Sequence, residues 1–176
     1  MKPLRNHMKR LYCEALLDLC DIEPLNSITV SKIVEAAGTA RQTFYNHFRD
    51  INDLISYLPI SFLDTASKKV HDVDGIRAAY QYATLHKSFF RQLPHHEGQN
   101  NFRESFILWS EQSYYDQYIT KEMPEEERMH RMLSIDLYCS GVTCLFLEWC
   151  RADFSWPLEA LIQIQDEMLP DFIKNN

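Results

Sequence analysis

The sequence predicts an all-α protein, and three observations carry that. Glycine is scarce, four in 176 residues. No run alternates apolar and polar residues strongly enough for a half-buried strand. Apolar residues instead recur at spacings of three and four along most of the chain, which is how a helix with one buried face reads.

The first helix runs from Leu4 to Leu19, where Leu4, Met8, Leu11, Tyr12, Ala15, Leu16 and Leu19 make one stripe. Pro24 bars its continuation and opens a loop over 23–27. The next stretch, TVSKIVEAAGTARQTFYNHF over Thr29–Phe48, organises the rest. It reads as two short helices. The first, Thr29 to Ala37, starts on a hydroxyl able to cap free backbone N–H groups and places Val30, Ile33, Val34 and Ala37 on one face. Gly38 supplies the left-handed backbone that ends it and turns the chain. The second, about Ala40 to Phe48, buries Phe44 and Phe48. Its other faces carry Arg41, Gln42, Thr43, Tyr45, Asn46 and His47, residue types that reach base edges and phosphates. This is the layout of a helix-turn-helix with a recognition helix. Arg41 and Gln42 are the candidates for base readout, since Arg pairs with guanine O6/N7 and Gln with adenine N6/N7 in bidentate fashion.

Asp50 caps a fourth helix to about Asp72, with Leu54, Ile55, Leu58 and Phe62 inside and Pro59 imposing a kink, or a break near Leu58. Val73-Asp74-Gly75 is read as a turn and Ile76–Leu93 as the fifth helix. In the polar loop after it, His95, His96 and Glu97 are adjacent, a poor arrangement for one metal ion. A sixth helix spans Phe102 to about Thr120. A seventh, from Glu125 to about Asp153, opens on three carboxylates that complement the helix dipole. Phe154–Pro157 breaks the chain before the last helix, Leu158–Ile173, which is in heptad-like register. The last two helices hold more apolar surface than one small bundle needs. They are read as a homodimer interface through Leu145, Trp149, Leu158, Leu161, Ile162, Gln165, Met168 and Leu169, two helices from each chain making a four-helix bundle.

Charge divides along the chain. The net charge is −7. Residues 1–55 hold seven Lys/Arg and seven Asp/Glu, whereas 56–176 hold eleven and eighteen. A neutral head facing DNA and an acidic body avoiding it fit that asymmetry, with Lys2, Arg5, Lys9 and Arg10 either touching backbone phosphate or simply solvated. Five cysteines include no C-x-x-C pair and argue against a disulfide framework. The N-terminus lacks the apolar core of a secretion signal, and no run approaches the ~18 apolar residues of a membrane span, so a cytoplasmic protein is expected. No glycine loop for phosphate, no nucleophile on a sharp turn and no H-E-x-x-H occurs, so no enzyme, cofactor or metal is expected.

The residues ITVSKIVEAAG, the turn, then TFYNHF and RDINDL resemble the DNA-binding domain of TetR/AcrR-type transcriptional regulators. The resemblance implies a three-helix DNA-binding domain over 1–55 and a helical effector-binding and dimerisation domain over 56–176. It implies phosphate contacts from Tyr45 and His47, with Thr29 and Lys32 on the preceding helix as further candidates. Partners would be double-stranded DNA, read as a palindromic operator, a second copy of the chain, and a small-molecule effector that releases DNA, making the protein a ligand-responsive repressor. Tyr80, Tyr82, Phe106, Trp109, Tyr114 and Tyr138 would line the effector pocket, or are plain core. SGVTCLFLEWCRADFSWPLEAL resembles the short C-terminal class named after the regulator of dihydroxyacetone kinase. Two positions depart from the family: Ile51 stands where Lys is frequent, and Ala40 replaces the usual Ser cap, with Thr39 as a substitute. Both leave open a co-regulator that keeps the fold without tight operator binding.

Overall fold

The computed structural model describes residues 2–66, 72–97 and 101–174, with side chains described from His7 onward and not at 64–66. Among those residues every regular element is helical. The α-helices are α1 (Lys2–Cys20), α2 (Val30–Ala36), α3 (Arg41–Tyr45), α4 (Ile51–Ala66), α5 (Val73–Leu85), α6 (Lys87–Phe90), α7 (Phe102–Tyr118), α8 (Glu125–Arg151), α9 (Leu158–Met168) and α10 (Asp171–Lys174), with 3-10 turns at Leu25–Ser27 and Leu93–His95. The side chains of Lys2 and Arg5 and the expected helical stretch 67–71 lie outside the described residues.

The head forms because α1 presents Tyr12, Leu16 and Cys20 at four-residue spacing, all buried. Tyr12 packs edge-on to Phe44 at 5.3 Å and to Phe48 at 6.2 Å between ring centroids. Ile33 and Val34 of α2 close the same core. Each such side chain contributes about 1.5–3 kcal/mol by leaving water. The turn between α2 and α3 is the expected one: Gly38 has φ +62°, and Thr39 N–H reaches back to the Val34 carbonyl at 2.8 Å.

Helix α4 starts on a reciprocal cap. Asp50 Oδ1 accepts from Asp53 N–H at 2.8 Å, and Asp53 Oδ2 accepts from Arg49 N–H at 3.0 Å. Of the two alternatives expected at the proline, the break near Leu58 does not occur: the helix runs through Pro59 unbroken. Leu54, Ile55 and Leu58 are all buried just before the proline and hold the helix against the loss of one backbone bond.

Three further boundaries differ from the sequence reading. Val73–Gly75 is the first turn of α5, because Asp72 caps it by accepting from Asp74 N–H at 3.2 Å. The helix expected over Ile76–Leu93 is divided at His86 (φ −115°, ψ 44°), and the change of direction lets Phe89 and Phe90 both bury. The last helix stops at Met168. Pro170 has no N–H to continue it and forces Leu169 into extended backbone, so α10 is separate.

In the body α7 packs along α8, and α5 lies against α4 and α9. This overturns most of the expected dimer surface. Trp149, Leu161, Ile162, Gln165 and Leu169 are buried inside the protomer, because α9 lays its heptad face on its own chain. Leu145 and Leu158 are half-buried and pack against that core. Of the expected set, Met168 alone points out, 63% exposed. The apolar residues left facing solvent nearby are Leu133, Leu137 and Ile164. Helix α8 also departs from expectation in another way: by length and composition it is apolar enough to cross a membrane. Ile135, Cys139, Leu147 and Trp149 on it are buried in the protein's own core.

The link from α8 to α9 is shaped by aromatic packing. Trp149 Nε1 donates to the Trp156 carbonyl at 3.2 Å, and Phe154 stands edge-on to Trp149 at 4.8 Å. Asp153 and Phe154 adopt left-handed backbone, φ 52° and 60°, a conformation costing each roughly 1–2 kcal/mol. Arg91 reaches Asp153 at 2.7 Å and ties the link to α6.

Candidate DNA-reading corner and body cavity

The corner made by α2 and α3 turns its polar tips outward. Arg41, Gln42, Tyr45 and Asn46 are exposed, Thr43 and His47 half-buried. Tyr45 is 46% exposed, its ring braced edge-on against Phe44 at 5.6 Å. Arg41 Nη2 donates to Tyr45 OH, and Gln42 Nε2 to Asn46 Oδ1, both at 3.5 Å. Bonds that long are weak, so these tips are free to exchange them for nucleic-acid partners. His47 is held differently, its ring tilted against Tyr12 at 6.2 Å.

On α2, Thr29 Oγ1 accepts from Lys32 N–H at 3.4 Å, a long cap. The Lys32 ammonium is tied to the Glu23 carboxylate and donates to the Ser27 carbonyl at 3.1 Å. Lys32, then Ser27, bond to the Glu23 carboxyl and hold it below the usual carboxylate range. Thr39 does not replace the missing cap of α3: its hydroxyl bonds Tyr12 OH at 3.0 Å, and Ala40 stands at the N-cap with no side-chain bond. Of the basic residues of α1, Lys9 lies over the Tyr57 ring at 4.1 Å and Arg10 pairs with Glu14 at 3.5 Å.

The body holds a partly open cavity of about 360 Å³ between α4, α5, α7 and α8. All of the expected pocket aromatics, Tyr80, Tyr82, Phe106, Trp109, Tyr114 and Tyr138, line it. Pro59 and Phe62 of α4 form the wall toward the head. Gln165, expected to face a partner chain, instead donates from Nε2 to Tyr80 OH in this wall. A second, outer hollow of about 600 Å³ lies along α8 and α9, lined by Leu137, Gly141, Leu145, Ile164 and Met168 among others. Tyr138, Val142 and Gln165 line both spaces, so the partition is one side chain thick.

Two contacts that the sequence did not signal join body to head. Gln92 Oε1 accepts from Leu25 N–H at 2.7 Å, and His96 Nε2 meets Asn52 Oδ1 at 3.0 Å. Their partners lie 67 and 44 residues away, beyond any local pattern. Among the described residues no group of three or more metal-ligating side chains converges.

Residues 22–58, the span from the end of α1 through α3 into α4, match the bacterial regulatory proteins of the tetR family. The head is similar to that family over this span, and the fold is TetR-type. The fold extends over the whole chain. The dihydroxyacetone kinase operon activator DhaS superposes with a TM-score of 0.59 at 16% identity, covering 96% of this chain and 95% of that one. A TetR transcriptional regulator from Rhodococcus sp. RHA1 gives 0.62 at 14% identity, covering 97% and 99%. The TetR family repressor AlkX from Dietzia sp. strain DQ12-45-1b gives 0.52 at 13% identity, covering 94% and 95%. None of the curated proteins matches the chain. The segment SGVTCLFLEWCRADFSWPLEAL builds the Trp149–Trp156 link of this TetR-type body.

Proposed function

We propose that the protein is a cytoplasmic, ligand-responsive transcriptional repressor that binds a palindromic operator as a homodimer. The DNA-binding head would be 1–55 and the effector-binding and dimerisation body 56–176. The observation that carries this is the exposure of Arg41, Gln42 and Tyr45 on a short helix whose buried side, Phe44, is locked into the head. Arg41 and Gln42 read base edges, Thr43 and Asn46 support them, and Tyr45 and His47 bind phosphate. Thr29 contributes from α2, and Lys32 does so once it leaves Glu23. Two copies place their recognition helices in successive major grooves about 34–36 Å apart.

The second copy docks on the outer face of α8 and α9, through Leu133, Leu137, Ile164 and Met168 around Gly141. An added Cβ at Gly141 meets nothing within 4 Å in its own chain, which leaves space for a close helix approach. An effector in the inner cavity bears on Pro59 of α4, the helix that leads to the head, and so biases the head's position. The fold neighbours include both a named activator and a named repressor, and repression is the sign proposed here.

A mobility-shift assay on the DNA upstream of the protein's own gene tests this. Specific retardation is expected for the wild type and its loss for Arg41→Ala and Tyr45→Ala, both still dimeric. Undiminished operator affinity in both variants would defeat the DNA-reading assignment. A dimeric wild type that retards no specific DNA would favour a co-regulator, the reading that Ala40 and Ile51 keep alive.

A further inference from the structure

Taking the body cavity as the effector site, we propose that its ligand is an uncharged, ring-bearing molecule with a hydroxyl that hydrogen-bonds the Tyr80–Gln165 pair. The cavity, about 360 Å³, sits near the lower end of the ~300–1,000 Å³ typical of small-molecule sites. Its wall is aromatic and aliphatic, and among the described residues no Asp, Glu, Lys, Arg or His lines it.

The few polar groups narrow the chemistry. Ser110 and Ser113 each donate their proton to a carbonyl of their own helix, Ile107 at 2.9 Å and Trp109 at 2.8 Å, so they offer oxygen lone pairs only. Gln117 Nε2 donates to Tyr118 OH at 3.2 Å. The Tyr114 and Tyr138 hydroxyls bond one another. The second buried pair joins α5 to α9. Gln165, 2% exposed, donates to Tyr80 OH, which leaves the phenol proton and the amide carbonyl for a guest. With the amide turned over, the phenol oxygen and an amide N–H are left instead. Either way one donor and one acceptor stand side by side, the complement of a hydroxyl.

Charge is disfavoured in both signs. A carboxylate would be desolvated with no cation among the described lining residues to meet it. The phenols stay un-ionised, because burial pushes Tyr80, Tyr114 and Tyr138 up and brings Tyr82 to about 12. A cation would need a carboxylate or open ring faces. The rings engage one another: Tyr82 stacks on Phe62 at 4.0 Å, Tyr80 meets Trp149 at 4.9 Å, and Phe106 meets Trp109 at 5.6 Å.

The test is a thermal-shift and calorimetric titration of the full chain with three probes of similar size: 4-propylphenol, 4-propylbenzoate and phenyltrimethylammonium. The phenol is expected to bind and raise Tm, and the two ions to do neither. Tyr80→Phe and Gln165→Leu should each weaken the phenol by about fivefold, the worth of one hydrogen bond. Ser113→Trp should fill the cavity and abolish binding, with Ala79→Phe as the second filling variant where Ser113→Trp fails to fold. The proposal is overturned by absence of phenol binding, by an ion binding as tightly as the phenol, or by unchanged phenol affinity in the filled cavity. A mobility shift on the same preparation separates the two readings. Operator binding without phenol binding removes this ligand class alone, and phenol binding without operator binding removes the regulator reading alone.

Discussion

The ion pair between Lys32 and Glu23 decides how much cation α2 can offer to DNA. In the free protein the ammonium is neutralised by Glu23 and held by the Ser27 carbonyl. Glu23→Ala should release it. The expected result is tighter DNA binding, because the complex no longer has to break the pair, while Lys32→Ala lowers the slope of log affinity against log salt by about one phosphate contact. An unchanged slope in Lys32→Ala would mean that Lys32 never reaches phosphate. The pair also has a pH signature. The Glu23 carboxyl is lowered in the folded state, so its stabilising contribution is present above the ordinary carboxylate pKa and is lost as pH falls through the lowered value. The cysteines give a second residue-scale prediction. Cys13, Cys20, Cys139 and Cys150 are buried, and burial pushes the first three thiols up to about 12 and Cys150 up as well. A buried thiol of that kind holds little thiolate and reacts slowly. Cys144 is exposed. A chromogenic disulfide reagent should therefore titrate one fast thiol in the native protein and five after unfolding; a second fast thiol would show that a buried one becomes exposed.

At the scale of elements, the segment from α6 through the 3-10 turn at Leu93–His95 matters more than its length implies. It supplies Phe90 to the cavity wall, Gln92 to Leu25 of the head, and His96 to Asn52 at the start of α4. Gln92→Leu leaves the N–H of a buried residue without its acceptor and should destabilise by about 1–3 kcal/mol in urea unfolding, whereas Gln92→Glu, which keeps the acceptor, should recover most of that loss. Gln92 Nε2 also donates to the Ser88 carbonyl at 2.6 Å, so equal losses in the two variants would mean that this second bond or packing, not the bond to Leu25, is what Gln92 supplies. Burial lowers the pKa of His96. The unfolded chain therefore binds the proton more readily, and this contact contributes stability that declines as pH falls below the ordinary histidine range. None of this was legible in the sequence, because a polar residue in a short turn carries no periodic signal. What was legible followed from local rules. The stripe of α1, the hydroxyl cap at Thr29, the left-handed Gly38 and the outward set from Arg41 to Asn46 are each set by neighbours within about one or two helical turns. Large rings at helical spacing must face some interior, but whether that interior is a cavity or plain core is not set by the spacing. The division at His86 and the stop before Pro170 were missed because apolar spacing continues across both, and the early start of α5 because Asp74-Gly75 has the composition of a turn.

For the whole molecule, the consequential error of the sequence reading concerns α9, because a heptad-like face looks the same whether it meets its own chain or another. Leu161 shows the first case, packed into the protomer core, and Met168 and Leu137, at 63% and 78% exposure, carry the proposed second. The two cases separate in one experiment. Leu161→Asp places an unpaired charge in the core and should unfold the protomer, seen as lost helical ellipticity. Leu137→Asp costs the isolated protomer little, so ellipticity should be unchanged, while sedimentation velocity shows a monomer and operator affinity falls with the loss of the second half-site. Gly141 adds a test whose sign is diagnostic. Replacing it by Ala favours the helix by roughly 0.5–1 kcal/mol and meets no atom of its own chain, so an isolated protomer gains stability. Where a partner helix crosses at this point, the added methyl holds the two apart. Higher unfolding stability at low concentration combined with weaker dimerisation is then the expected outcome. Gly141→Ala that stabilises the protein and leaves dimer affinity untouched would move the interface elsewhere, and the thin partition of Tyr138, Val142 and Gln165 would then no longer connect the ligand cavity to the second subunit.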